Sequence, residues 1–109
     1  MNDVYKICKK VVTCLQNEDY DFLNKHNALC RVSEEDIKRV LHEYGGCLSA
    51  IPDEEDILDI YKYNDHSGLK VDLDLWIDGK RSDLTLQIEI IFNKNNEISS
   101  YMILDILVM

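Results

Sequence analysis

Proline, glycine and long apolar runs are scarce in this sequence. Pro52 is the single proline, the four glycines are scattered, and neither a low-complexity segment nor an internal repeat occurs. With no evident linker, residues 1–109 are expected to form one domain around one hydrophobic core. No apolar run reaches membrane-spanning length, and the N-terminus lacks the apolar stretch of a signal peptide. We therefore expect a cytoplasmic protein that does not bind membranes.

The four cysteines lack the spacing of a disulfide framework or a zinc site. No CxxC pair occurs, Cys8 and Cys14 lie within one helical pattern, and His26 with Cys30 has no second ligand pair. We predict four free thiols, buried or half-buried, in a reducing compartment. No metal and no other cofactor is predicted.

Basic residues are also few, since 12 lysines and arginines face 21 acidic residues, giving a net charge of −9. Residues 1–50 carry 7 basic and 8 acidic side chains, whereas residues 51–109 carry 5 and 13. The second part thus holds −8 of the −9. Such a surface repels nucleic acid and anionic membranes and accelerates the encounter with a basic partner. The plainer interpretation is that the charge keeps a small protein in solution.

Recognisable catalytic motifs are absent as well. The sequence contains no phosphate loop, dinucleotide fingerprint, nucleophile elbow or HExxH. Asp72, Asp74 and Asp78 would share one side of a strand and could hold a divalent cation, but an alternating strand must expose polar side chains in any case. Cys47 could act as a nucleophile only with a general base beside it, and the sequence identifies no such base. We predict that the protein is not an enzyme.

The clearest pattern that is present is a β-hairpin over residues 71–92. Apolar and polar residues alternate on both sides of Asp78-Gly79, which indicates two strands with one buried face and one wet face. The predicted buried residues are Val71, Leu73, Leu75, Ile77, Leu84, Leu86, Ile88, Ile90 and Phe92. A two-residue turn at Asp78-Gly79 would set Asp74 opposite Asp83, an unfavourable like-charge pair. We therefore favour a four-residue loop over 78–81, which sets Leu75 opposite Leu84.

Helical patterns precede the hairpin. An apolar stripe runs from Val4 to Leu15, with Asn2 or Asp3 as its N-cap, and a short second helix is centred on Phe22 and Leu23. Ser33 caps a third helix, which stops at Gly45-Gly46.

Further strands are predicted at 57–63 and at 97–108, on either side of the hairpin. The fold is therefore predicted to be α+β: two to three N-terminal helices packed on one face of a four-stranded antiparallel meander. For Ile98, Met102, Leu104, Ile106 and Val108 to join the core, an odd loop length after Phe92 or a β-bulge is required. The opposite face would carry apolar residues among acids: Trp76, Ile91, Tyr101, Ile103 and Leu107 with Asp72, Asp74, Asp83 and Glu89.

Two resemblances bear on function. The segment Asp74-Leu-Trp76, followed by Gly79-Lys-Arg-Ser-Asp-Leu-Thr-Leu86, resembles a bacterial domain family with a DLW segment running into GRSDLTL, a family without an established enzyme activity. Here Lys80 interrupts the Gly-Arg step, and the match covers the C-terminal half. As a small acidic α+β chain, the protein also resembles the immunity proteins of contact-dependent growth inhibition and related toxin systems. That resemblance implies a cognate toxin domain as partner, commonly a nuclease with a basic cleft.

We therefore interpret the chain as a binding protein that neutralises a basic toxin domain and is a monomer or weak homodimer when free. Its partner-binding residues are predicted to be Trp76, as an anchor, with a surround of acids. Those acids are Asp53, Glu54, Glu55, Asp56, Asp72, Asp74, Asp78 and Asp83. Two alternatives stay open: a cone-shaped ligand-binding or enzymatic domain with a pocket between sheet and helices, and a homodimeric interaction protein.

Overall fold

The computed structural model describes residues 2–53 and 57–108. Its helices are α1 (Asn2–Gln16), α2 (Tyr20–Lys25) and α3 (Glu34–Tyr44). Its strands are β1 (Leu48–Ser49), β2 (Leu58–Lys62), β3 (Gly68–Ile77), β4 (Lys80–Phe92) and β5 (Ile98–Val108). The predicted α+β fold is confirmed. The two-residue β1 was not predicted, because two residues are too short for any pattern to show.

The helices begin and end largely where the sequence signals them. The Ser33 hydroxyl accepts a hydrogen bond from the Asp36 N–H at 3.1 Å, and Asp19 caps α2 in the same way through the Phe22 N–H. Gly45 and Gly46 both have positive φ, as a left-handed stop requires. The predicted caps of α1 were wrong, since Asn2 and Asp3 lie inside its first turn. No described helix has the length and apolar character needed to cross a membrane.

The sheet is an antiparallel meander, β2-β3-β4-β5, and β1 pairs with the C-terminal end of β3. Alternate residues of β3 and β4 are completely buried and join α1, α2 and α3 in one core. The strand residues without exposed surface are Val71, Leu73, Leu75, Leu84, Leu86, Ile88, Ile90 and Ile103. The helices thus cover one face of the sheet, as predicted.

The central hairpin has a shorter turn than predicted but the expected register beyond it. Asp78 and Gly79 both have positive φ and form a two-residue turn, so the predicted four-residue loop was wrong. The pair next to Trp76–Arg81 is Asp74–Thr85, so a step of two residues along β3 corresponds to a step of four residues along β4. This bulge sets Asp74 opposite Thr85 instead of Asp83. The like-charge pair is therefore avoided by a bulge, not by a longer turn.

Two bulges also shape β5. Ser99 and Leu104 are the extra residues, because the pairs step from Phe92–Ile98 to Ile91–Ser100 and from Ile88–Ile103 to Gln87–Asp105. Five loop residues separate Phe92 from Ile98, so both an odd loop and bulges are present, as required. Each bulge reverses which side chains face the helices. The prediction for the middle of β5 was therefore wrong: Ile103 is buried and Tyr101 packs on the core, whereas Met102 and Leu104 do not.

The cysteines divide into two classes. Cys8 and Cys14 are buried, while Cys30 and Cys47 are exposed, so the expectation of buried or half-buried thiols holds for only two of them. Burial raises the pKa of the Cys8 thiol to about 12, which keeps it protonated and unreactive at neutral pH.

Candidate binding face

The face of the sheet opposite the helices is here called the open face. It follows from the strand registers and consists of Asp59, Tyr61, Lys70, Asp72, Asp74, Trp76, Arg81, Thr85, Gln87, Glu89, Ile91, Ser100, Met102, Asp105 and Leu107. These side chains form rows that cross the strands. Five of them are carboxylates and two are cations, so the face carries a formal charge of −3.

One row runs from Tyr61 through Lys70 and Glu89 to Met102. The Lys70 ammonium lies 5.6 Å from the centroid of the Tyr61 ring, a distance typical of a cation–π contact. Tyr61 nevertheless keeps 54% of its surface exposed. This row therefore presents an accessible aromatic ring and a thioether beside charged groups.

The adjacent row consists of Asp59, Asp72, Gln87 and Asp105 on β2, β3, β4 and β5. Three of these four side chains are acids. Asp59 lies directly opposite Asp72, and like charges in that position destabilise a sheet. Asp72 is relieved by Lys70, whose ammonium is 3.3 Å from its Oδ1, although that buried oxygen accepts no hydrogen bond from the described residues. Asp59 itself is exposed and has no cation within ion-pair distance among the described side chains.

Nearer the hairpin turn, Asp74 is tied into a local network. It accepts hydrogen bonds from Arg81 Nε at 2.9 Å and from the Thr85 hydroxyl at 3.1 Å. Arg81 is the direct cross-strand partner of Trp76, but its guanidinium pairs with Asp74. Trp76 is half-buried and packs partly on the core. The indole is thus held in place by its neighbours and is partly exposed.

Tyr63 follows the end of β2 and contacts the open face through Glu89. Its hydroxyl donates a 2.6 Å hydrogen bond to Glu89 Oε2. Desolvation and the negative charge of Glu89 together raise the pKa of Tyr63 to about 12. The phenol therefore stays neutral and fixes the orientation of Glu89.

The other predicted partner-binding acids lie away from the open face. Asp53 pairs with Lys9 of α1 and accepts a hydrogen bond from the Tyr5 hydroxyl, and the Lys9 ammonium lowers the pKa of that carboxyl. Asp78 accepts a 2.9 Å hydrogen bond from the Cys47 N–H, and Asp83 accepts one of 2.5 Å from the hydroxyl of Tyr44. Glu54, Glu55 and Asp56 lie outside the described residues.

The structure thus brings Asp72, Asp74 and Trp76 together but separates them from the remaining predicted acids. Sequence reasoning missed Asp59 and Asp105 as site residues, and it placed Glu89 on this face without naming it as a partner-binding residue. Which of these residues are neighbours follows only from the register of β2 and β5, since alternation assigns a face and says nothing of cross-strand pairs. Asp72, Asp74 and Asp78 have separate partners, and no cluster of His, Cys, Asp and Glu suited to a metal occurs in residues 2–53 and 57–108.

A comparison with known protein families shows which family the chain belongs to. The family described as Domain of unknown function (DUF7668) matches residues 12–109. The chain belongs to this family. The coarser expectation, membership of a domain family without established activity, is confirmed, whereas the DLW…GRSDLTL signature stays a prediction. The DUF7668 match extends well beyond the C-terminal half. No curated protein and no solved structure matches the chain. All strands of the open face lie inside the DUF7668 match.

Proposed function

We propose that this protein binds a basic protein partner through the open face and that the partner is a cognate bacterial toxin domain, neutralised by direct contact. The observation that carries the proposal is the combination of an acidic, aromatic-bearing sheet face with the absence of any described helix over it. Acidic rows favour a cationic partner, and Trp76 with Tyr61 supplies the aromatic surface that concentrates binding energy.

The carboxylates of the open face lower the stability of the sheet. Asp59 opposite Asp72 is a like-charge pair between β2 and β3, and β-branched or aromatic residues would stabilise that position better. Proteins retain such violations of local rules chiefly at functional sites. This row therefore supports a role in binding over a role in folding.

Two acids are suited to test the face because they are exposed and outside its ion pairs. Asp59 and Asp105 meet this requirement, whereas Asp72 and Asp74 hold Lys70 and Arg81 in place. The experiment measures association of the full chain with the C-terminal domain encoded by the gene immediately upstream. We expect the double variant Asp59→Lys/Asp105→Lys to slow association, with an effect that shrinks as salt is raised.

A matched control changes the same charge on the helices. Asp21→Lys/Glu43→Lys alters exposed acids of α2 and α3 and should leave the association rate nearer to the wild-type value. Equal slowing in both double variants would show that net charge alone acts and would remove the open face from the proposal.

The anchor is tested separately by Trp76→Ala. A hot-spot tryptophan should cost about 2 kcal/mol or more of binding free energy. Because Trp76 also packs on the core, the melting temperature is measured in parallel, and binding is compared at a temperature where both proteins are folded. Wild-type affinity in the folded variant would exclude Trp76. If the upstream domain does not bind and light scattering shows a stable dimer, the homodimer hypothesis replaces the toxin hypothesis.

A further inference from the structure

A groove lies at the end of the sheet opposite the Asp78-Gly79 turn. The first turns of α1 form one wall, and the β2–β3 and β4–β5 connections form the others. Its volume is about 790 Å³, within the range of small-molecule sites. It is here called the end groove. It contains no residue of the open-face rows, but its lining includes Tyr63, whose hydroxyl donates to Glu89 of the open face.

The base of the end groove is apolar. Val4 and Leu69 are buried there, while Ile7, Phe92 and Ile98 are half-buried and pack on the core. Three large side chains are thus partly exposed in one concavity. Such a surface favours the apolar part of a ligand over water.

Two lysines lie on the rim of the end groove. Lys6 and Lys62 are exposed, and neither has an ion-pair partner among the described residues. Lys9, Lys38 and Lys70, by contrast, each pair with a carboxylate. Lys6 and Lys62 thus bring two ammonium groups to one groove, where a ligand can reach both.

Two acids also line the end groove and oppose the lysines. Asp3 lies in the first turn of α1, where the positive end of the helix dipole offsets its charge. With Asp3 and Glu97 against Lys6 and Lys62, the formal charge of the groove lining is zero. The positive end of the α1 dipole lies at the same wall and favours an anionic ligand over a cationic one.

We propose that the end groove binds a small anionic amphiphile, with its apolar body on Ile7, Phe92 and Ile98 and its anionic group paired with Lys6 and Lys62. The apolar base argues against a bare inorganic anion, because such a ligand would leave it in water. The site is separate from the open face, so it does not depend on the toxin proposal.

The experiment titrates the ¹⁵N-labelled full chain with octanoate and follows the backbone amide resonances. We expect shifts at the amides of Val4, Ile7, Gly68 and Ile98. Lys6→Glu/Lys62→Glu should weaken binding about tenfold or more, the size expected when a hydrogen bond between charged groups is lost. Lys25→Glu/Lys80→Glu reverses two exposed lysines outside the groove and should leave affinity near wild type.

Two further ligands separate the charge from the apolar body. Acetate has the carboxylate with only a methyl group, and heptyltrimethylammonium has the same seven-carbon chain with the opposite charge. We expect neither to shift the groove amides at concentrations where octanoate does. Equal binding of the cation, an equal loss in the two double variants, or no octanoate shifts at the groove would each overturn the proposal. The four substituted lysines are exposed, so the variants should fold, and a thermal melt checks this.

Discussion

Leu86 and Gln87 are neighbours on β4, yet they lie in different environments. Leu86 has no exposed surface and packs in the core, whereas Gln87 stands half-buried between Asp72 and Asp105 on the open face. The helix-covered face is largely apolar, with Asp83 as an exception, and the open face mixes acids, two paired cations and aromatics. One face stabilises the fold, while the other contains a like-charge pair that opposes it. The comparison therefore separates residues selected for packing from residues that packing does not explain.

The largest effect is expected from removing a core side chain. Leu86→Ala should lower the free energy of unfolding by about 2–5 kcal/mol, because it loses buried apolar contacts and leaves a cavity. Gln87→Ala, one residue away on the open face, should change it by less than about 0.5 kcal/mol. Urea denaturation of the two variants measures the difference. Similar losses in both would contradict the division into a packing face and an open face.

The hairpin bulge is expected to contribute the next largest effect. The Ser82 hydroxyl donates to the Leu75 carbonyl at 2.6 Å and accepts from the Leu84 N–H at 3.2 Å. Ser82→Ala should cost about 1–3 kcal/mol, since both backbone groups lose a partner in a half-buried position. Ser100→Ala removes an exposed hydroxyl that makes no such bond with the described residues, and it serves as the control in the same urea series. An equally small loss for both would show that the bulge does not depend on the hydroxyl.

Periodicity predicted the elements of the fold because burial imposes it directly. The α1 stripe, the Ser33 cap and the alternation of β3 and β4 all repeat at the spacing of their structure, and each was recovered. The bulges at Ser99 and Leu104 could not be located in the same way. A bulge does not require a particular type of residue. Its position is therefore decided by contacts with β4 and the helices.

The candidate site was predicted less well for a related reason. Trp76 and Asp72 were placed on the correct face by alternation, but their neighbours depend on how β2 and β5 align. Asp59 reaches Asp72 only through the β2–β3 register. Asp83 appeared to belong to the polar face, yet the Tyr44 hydroxyl of α3 holds it. The alternation of residues along a strand assigns each side chain to a face of the sheet. The pairing of distant strands decides which charged side chains become neighbours.

Tyr63 provides a pH-dependent test of the open face. Its pKa is raised from 10.0 to about 12, so the stabilisation from the neutral phenol is complete below pH 10 and is lost as the pH rises toward 12. Tyr63→Phe should remove this component from the alkaline decline in stability. Glu89→Gln should lower the pKa of Tyr63 toward its ordinary value, because the negative acceptor is gone. Absorbance titration of the phenols, taken as a difference from Tyr63→Phe, measures the shift, and an unchanged phenol pKa in Glu89→Gln would refute the pairing.

The smallest effect, and the one that most directly distinguishes the two faces, is expected from Asp59→Asn. Removing one charge of the Asp59–Asp72 pair should raise the free energy of unfolding by about 0.2–1 kcal/mol, and more at low salt than at high salt. Asp105→Asn is the matched control, since Asp105 lies opposite Gln87 and should give no comparable gain. Urea denaturation at two salt concentrations makes the comparison. Because the same substitution removes a carboxylate from the proposed binding row, it should weaken the complex with a basic partner while stabilising the free protein. A variant that gains stability and binds as well as wild type would mean that Asp59 is retained for some purpose other than this interface.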